Sequence, residues 1–180
     1  MAYNGSIRML VSDVDGVLTD GTLYIGAGGE VLKPFNVRDG LAVALLRAHG
    51  LESGLLSGKA SPALDERIRQ LSIEFAITGQ LEKRSAISQL AEQAGVTLSQ
   101  IAYIGDDVVD LPLCGLVGVF YAPADAHPLV IERADRVVDA RGGHGVAREV
   151  AEDILTSGGL DLRDAYAPLI ADWSGFRAQQ

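Results

Sequence analysis

Two acidic clusters carry most of the chemistry open to this chain. Asp13 and Asp15 lie in Ser12-Asp13-Val14-Asp15-Gly16, with Asp20 soon after. Asp106, Asp107 and Asp110 lie in Gly105-Asp106-Asp107-Val108-Val109-Asp110. Each cluster directly follows a short apolar run, Ile7 to Val11 or Ile101 to Ile104, of the kind that forms a buried strand. If the two strands are neighbours, the carboxylates converge at one sheet edge and repel one another unless protons or a cation compensate. An all-oxygen donor set without a His or Cys cluster suits a hard cation, Mg²⁺ first. A single Asp in such a place is also a good turn or cap residue; two clusters, each just after a β-run, favour the shared site.

Two further residues complete the set. Ser57 follows the run ending at Leu56, where its hydroxyl and nearby N–H groups suit an anionic oxygen, although a plain turn serine has the same local sequence. Lys83 opens a helical segment, where the macrodipole disfavours a bare cation. A neighbouring anion removes that conflict; alone, Lys83 reads as a solvated charge. A carboxylate nucleophile, a metal, a hydroxyl and a lysine together form a phosphoryl-transfer site.

The elements that must position these groups alternate along the chain. Thr22 to Ile25 and Glu30 to Lys33 flank Gly26-Ala27-Gly28-Gly29 as a protruding β-hairpin. Helices are expected over 39–49, 61–71, 82–94 and 145–155, with a short one at 108–114 and a helical turn at 129–133. Strands are expected at 53–56, 73–77 and 117–121, with a last edge strand at 136–138. Such alternation predicts an α/β fold: a Rossmann-like parallel sheet with helices on both faces and ligands at the carboxyl ends of its strands. Residues 1–157 form the expected single domain. The tail, 158–180, is either frayed or packed on its own or a neighbouring subunit, with Trp173 and Phe176 as interface anchors.

Composition narrows the function class. The 180 residues carry a net charge of -9, which opposes nucleic acid and anionic lipid as partners. At 48% hydrophobic and 22% charged, the chain can build a sizeable core and global disorder is excluded. One cysteine, Cys114 in an apolar run, excludes an intramolecular disulfide framework. No window reads as a membrane span or secretion signal, so a cytoplasmic location is expected.

The order of the pieces resembles a known family. Leu10 through Gly21 is similar to motif I of the haloacid dehalogenase superfamily of phosphatases, and Ser57, Lys83 and Gly105 through Asp110 resemble its later motifs in the family's order. A response-regulator receiver also combines Asp, a hydroxyl and Lys, but its lysine follows the last strand, whereas Lys83 precedes an acidic cluster here. The resemblance implies Asp13 as nucleophile and Mg²⁺ ligand. It implies Asp15 as proton donor and then base, with its carbonyl facing the metal. Asp106 becomes a direct ligand, Asp107 a water-mediated or orienting one, and Asp110 a support for the site and Lys83. Ser57 and Lys83 would hold the phosphoryl oxygens.

Neither the gap from Asp15 to Ser57 nor that from Lys83 to Asp106 holds a cap domain. The chain therefore resembles the capless subgroup typified by 3-deoxy-D-manno-octulosonate 8-phosphate phosphatases, also through Phe35 to Gly40 and Ala124 to Leu129. That implies a phosphorylated acidic sugar as substrate, a place in lipopolysaccharide precursor synthesis, and a homotetramer built through the hairpin, with a neighbouring subunit as lid. Arg38, Gly58, Lys59 and His144 are the candidate substrate-binding residues, a structural salt bridge being the other reading of Arg38. Two departures bear on the sugar. Lys59 and His144 stand where the subgroup usually has Arg, and each loses a planar fork. A nine-carbon acid 9-phosphate is the alternative substrate, and a noncatalytic assembly domain beside a cytidylyltransferase the alternative role. A phosphomutase fits less well without a cap to exclude water. Asp39 reads as the N-cap of its own helix, His49 as a helix-end residue and His127 as a loop-ordering residue.

Overall fold

The computed structural model describes residues 2–177, with side chains described through residue 173; the side chain of Phe176 lies outside them. Strand β1 (Met9–Ser12), every residue of which is buried, lies inside a six-stranded sheet. The hairpin strands β2 (Tyr24–Gly26) and β3 (Gly29–Leu32) form a separate antiparallel pair. Strands β4 (Glu52–Ser57), β5 (Phe75–Thr78), β6 (Ile101–Ile104), β7 (Val119–Ala122) and β8 (Arg136–Val137) complete the main sheet in the order β5-β4-β1-β6-β7-β8, all parallel. Ser12 lies level with both Leu55 and Ile104, so the loops leaving β1, β4 and β6 open on one edge. The chain reverses its direction of winding between β1 and β6, the kind of crevice where open α/β sheets bind ligands.

Alternation along β1 divides the core. Leu10 joins the layer beneath α1 (Val37–Ala48), α2 (Pro62–Leu71), α5 (Val146–Ser157) and α6 (Leu162–Arg177). Met9 and Val11 join the opposite layer, beneath α3 (Lys83–Ala94) and α4 (Pro128–Arg133). A sheet buried on both faces requires near-continuous apolar strands, which Ile101-Ala102-Tyr103-Ile104 supplies. Local chemistry sets the helix ends. Ser61 caps α2 by accepting from Leu64 N at 3.3 Å, with Pro62 in the first turn. Glu82 accepts from the amides of Arg84 and Ser85 and so fixes the start of α3.

Several details differ from the sequence expectation. Helix α1 starts at Val37, capped by Asn36, whose side chain accepts from Arg38 N at 3.0 Å. Asp39 therefore does not cap its own helix. Its Oδ1 accepts from Ala147 N at 3.0 Å and caps α5, whose own N-cap, Gly145, has no side chain to offer. The segment Val108–Leu113 is a 3-10 helix, and Pro112 inside it has no amide to donate to the preceding turn. The strands expected at 73–77 and 117–121 begin two residues later, at Phe75 and Val119. In the tail, α6 buries Ala165 and Leu169 in the layer that also holds α1 and α5.

Candidate active site

The end of β4, the segments after β1 and β6 and the start of α3 bring five of the expected residues to the crevice. Asp13 leaves β1 with its amide donating to Ile104 O at 2.9 Å, which ties its backbone to the end of β6. Lys83, the first residue of α3, is buried. Its Nζ stands 3.1 Å from Asp13 Oδ1 and 3.3 Å from Asp110 Oδ1, and donates to Leu56 O at 3.1 Å. Two carboxylates thus supply the anions that a lysine at a helix N-terminus needs. Ser57, at the end of β4, is buried and accepts from Lys59 N at 3.1 Å.

Asp110 is fully buried with both oxygens engaged. Oδ1 accepts from the Tyr103 hydroxyl at 2.6 Å, and Oδ2 from the amides of Asp106 and Asp107 at 3.1 and 3.3 Å. It shapes the loop after β6 while orienting Lys83. Asp106 contrasts with it: its Oδ1 is buried and has no hydrogen-bond partner. Carboxylate oxygens of Asp13, Asp106 and Asp110 lie within 4.8 Å of one another. Three carboxylates against one ammonium leave two negative charges in excess, which a divalent cation would balance. The orphaned Asp106 oxygen and the all-oxygen donors fit such an ion.

Titration reflects the same crowding. Burial, then the Asp110 carboxylate, pushes Asp13 up to about 7, while Lys83 pulls the other way. Burial and the charges of Asp13, Asp110 and Asp107 push Asp106 up to about 8. Burial, then the Asp110 and Asp13 carboxylates, raises the Tyr103 phenol well above its ordinary value.

Two glycines allow this packing. A Cβ on Gly16 would stand 2.0 Å from Asp106 Oδ2, and Gly16 has φ +88, so both space and conformation demand glycine. At Gly105, a Cβ would collide with the Asp110 side chain at 2.6 Å.

The remaining expected residues sit further out. The Asp15 carboxylate pairs with the buried ammonium of Lys33, at the foot of the hairpin, and is not among the three clustered acids. Asp107 is exposed and caps the 3-10 helix by accepting from Val108 N at 2.7 Å. Gly58 is half-buried against Leu81, and Lys59 is exposed with its Nζ 3.6 Å from Glu30 Oε2. His144 is exposed, its Nδ1 2.7 Å from Gly142 O, in a loop tied to the loop after β1 by Gly143 N donating to Val17 O at 2.9 Å. Arg38 is exposed and lies along Gly145.

Sequence reading missed Tyr103 and Lys33. Tyr103 sits in an apolar strand and reads as core; only its buried hydroxyl, which must find a partner, hinted at more. Lys33 closes a hairpin strand, and nothing local announces that it turns inward.

A family model for haloacid dehalogenase-like hydrolases matches residues 67–150. A 3-deoxy-D-manno-octulosonate 8-phosphate phosphatase of Haemophilus influenzae is 46% identical over 154 residues, 86% of either chain. The chain belongs to the haloacid dehalogenase superfamily. Within it, the chain is a hydrolase of the group that resembles those octulosonate phosphatases, and among the described residues no cap domain interrupts the fold. The cobalt-bound structure of the Haemophilus influenzae phosphatase aligns with TM-score 0.85 at 43% identity, covering 90% of this chain and 97% of that one. A Moraxella catarrhalis 3-deoxy-D-manno-octulosonate 8-phosphate phosphatase, solved with magnesium, phosphate and the sugar acid, aligns with TM-score 0.80 at 34% identity, covering 84% and 87%.

Proposed function

We propose that this haloacid dehalogenase-superfamily member is a Mg²⁺-dependent phosphomonoesterase for a phosphorylated acidic sugar, 3-deoxy-D-manno-octulosonate 8-phosphate. The observation that carries the chemistry is Asp13, held against Lys83 beside the unpartnered oxygen of Asp106. The relatives that bear the octulosonate name support the sugar. Asp13 and Asp106, with the Asp15 carbonyl, would hold the ion. When bound, Mg²⁺ lets an anionic nucleophile and an anionic ester approach one another.

The chain's residues do the rest. The Asp13 carboxylate attacks phosphorus as the bond to the sugar oxygen breaks, and Asp15 delivers its proton to that oxygen. Ser57 and Lys83 hold the phosphoryl oxygens through the transition state. Asp15, now a carboxylate, takes a proton from water as the water attacks the aspartyl-phosphate. Inorganic phosphate leaves and the Asp13 carboxylate is restored. Asp107 and Asp110 order the loop that presents Asp106.

Arg38, Gly58, Lys59 and His144 read the sugar, and the exposed hairpin joins copies of the chain into a homotetramer whose neighbours cover the site. In cells the reaction serves lipopolysaccharide precursor synthesis in the cytoplasm. The substrate assignment is tested by phosphate release with Mg²⁺ over a panel of the eight-carbon acid 8-phosphate, nine-carbon acid 9-phosphates and neutral hexose phosphates. The highest kcat/KM is expected for the eight-carbon acid. Preference for a nine-carbon acid would instead make Lys59 and His144 the residues that changed specificity.

A further inference from the structure

Lys33 is the least expected charge in the molecule. Its side chain is only 2% exposed, although it stands at the foot of a hairpin whose own strands face solvent. A buried ammonium needs counter-charge. Part of it is local: Glu30 Oε1, three residues back along the hairpin, lies 3.3 Å from Lys33 Nζ. The other part crosses to another loop, where Lys33 Nζ donates to Asp15 Oδ1. Glu30 in turn presents its second oxygen to Lys59 at 3.6 Å. The result is a chain of alternating sign, Asp15, Lys33, Glu30 and Lys59, that runs from the nucleophile loop through the hairpin to the loop after β4.

A purely structural pair would need no particular acid at its inner end. Here the inner end is the carboxylate two residues beyond Asp13, and it is 30% exposed, open to a reacting ester. Proton transfer requires the carboxyl oxygen within hydrogen-bond reach of the leaving oxygen, and a free Asp side chain rotates away readily. We propose that Lys33 is a positioning residue for the proton-transfer step, fixing the rotamer of Asp15 from the base of the hairpin. This rests on the phosphatase reading given above.

Leaving-group dependence separates positioning from structure. An aryl ester such as p-nitrophenyl phosphate expels a stable phenolate without a proton, whereas an alkyl phosphate needs one. Lys33→Met should lower kcat/KM for the alkyl ester about 10² fold, and at least about tenfold more than for the aryl ester. Lys33→Arg, which keeps the charge, should recover part of the loss. In an Asp15→Asn background, Lys33→Met should add little, as two residues acting through one step do. Residual aryl turnover reports an intact fold; should Lys33→Met fail to fold, Lys33→Gln takes its place in the same comparison. Equal losses on both esters, or full additivity with Asp15→Asn, would overturn the proposal. Absence of turnover of either ester by the unaltered protein would instead sink the phosphatase reading.

Discussion

Asp13 and Asp106 occupy an environment that resists two full negative charges, and the consequence is measurable. Both carboxyls titrate far above the ordinary carboxylate range, about 7 and about 8, because both are buried and face the Asp110 charge, to which Asp13 adds at Asp106. In the unfolded chain they would titrate near 4. Between those values the folded, metal-free protein binds more protons than the unfolded chain, so its stability falls as pH rises from about 4 to about 8. A divalent cation displaces those protons and binds the folded state alone. The stabilisation gained from saturating Mg²⁺, read as the shift in urea midpoint, should therefore grow from pH 6 to pH 8.5. Gain independent of pH would show that these carboxylates do not hold the ion. At this scale the sequence was legible where the acids stood in clusters, since their residue types alone require compensation. It was silent on Tyr103 and Lys33, whose roles arise only when β6 meets the Asp110 side chain and the hairpin folds back on the loop after β1.

Asp39 illustrates the same limit at the scale of elements. An acid near a helix start reads as a local cap, but Asn36 has already taken that position and Asp39 satisfies α5 across a separation of 108 residues. No local pattern encodes a cap supplied by another helix. Burial raises the Asp39 carboxyl to about 6, while the amides of Arg148 and Ala147 partly oppose the rise. The folded state thus prefers the protonated acid, and the preference is lost as pH rises through 6. Asp39→Asn keeps an acceptor without the charge. Its stability relative to the unaltered protein should move in its favour by about 1–3 kcal/mol between pH 4 and pH 7, measured by urea denaturation. A constant difference would show that Asp39 is not held against a charge penalty. The strands and main helices were legible from period and punctuation. The tail was not, because Leu162, Tyr166 and Leu169 give only a weak apolar face and Pro168 interrupts the expected donors.

On the whole molecule, the hairpin presents Ile25 and Val31 at 63% and 64% exposure, with Leu23, Tyr24 and Leu32 also exposed beside them. Exposed apolar residues on one hairpin suit the proposed assembly, and a capless site benefits from a neighbour that excludes water. Sedimentation at micromolar concentration should give the mass of four chains. Ile25→Lys with Val31→Lys should give single chains of unchanged helical content, with kcat/KM for the sugar phosphate lowered at least about tenfold. A monomeric unaltered protein with full activity would exclude the tetramer. The central claim is narrower than the assembly and can be tested without it: Asp13, compensated by Lys83 and an ion at Asp106, attacks phosphorus. Its most direct test is phosphate release from 3-deoxy-D-manno-octulosonate 8-phosphate with Mg²⁺, compared between the unaltered protein and Asp13→Asn. The expected result is turnover that needs Mg²⁺ and falls at least about 10³ fold in the variant. Asp13→Asn that keeps comparable turnover would contradict it.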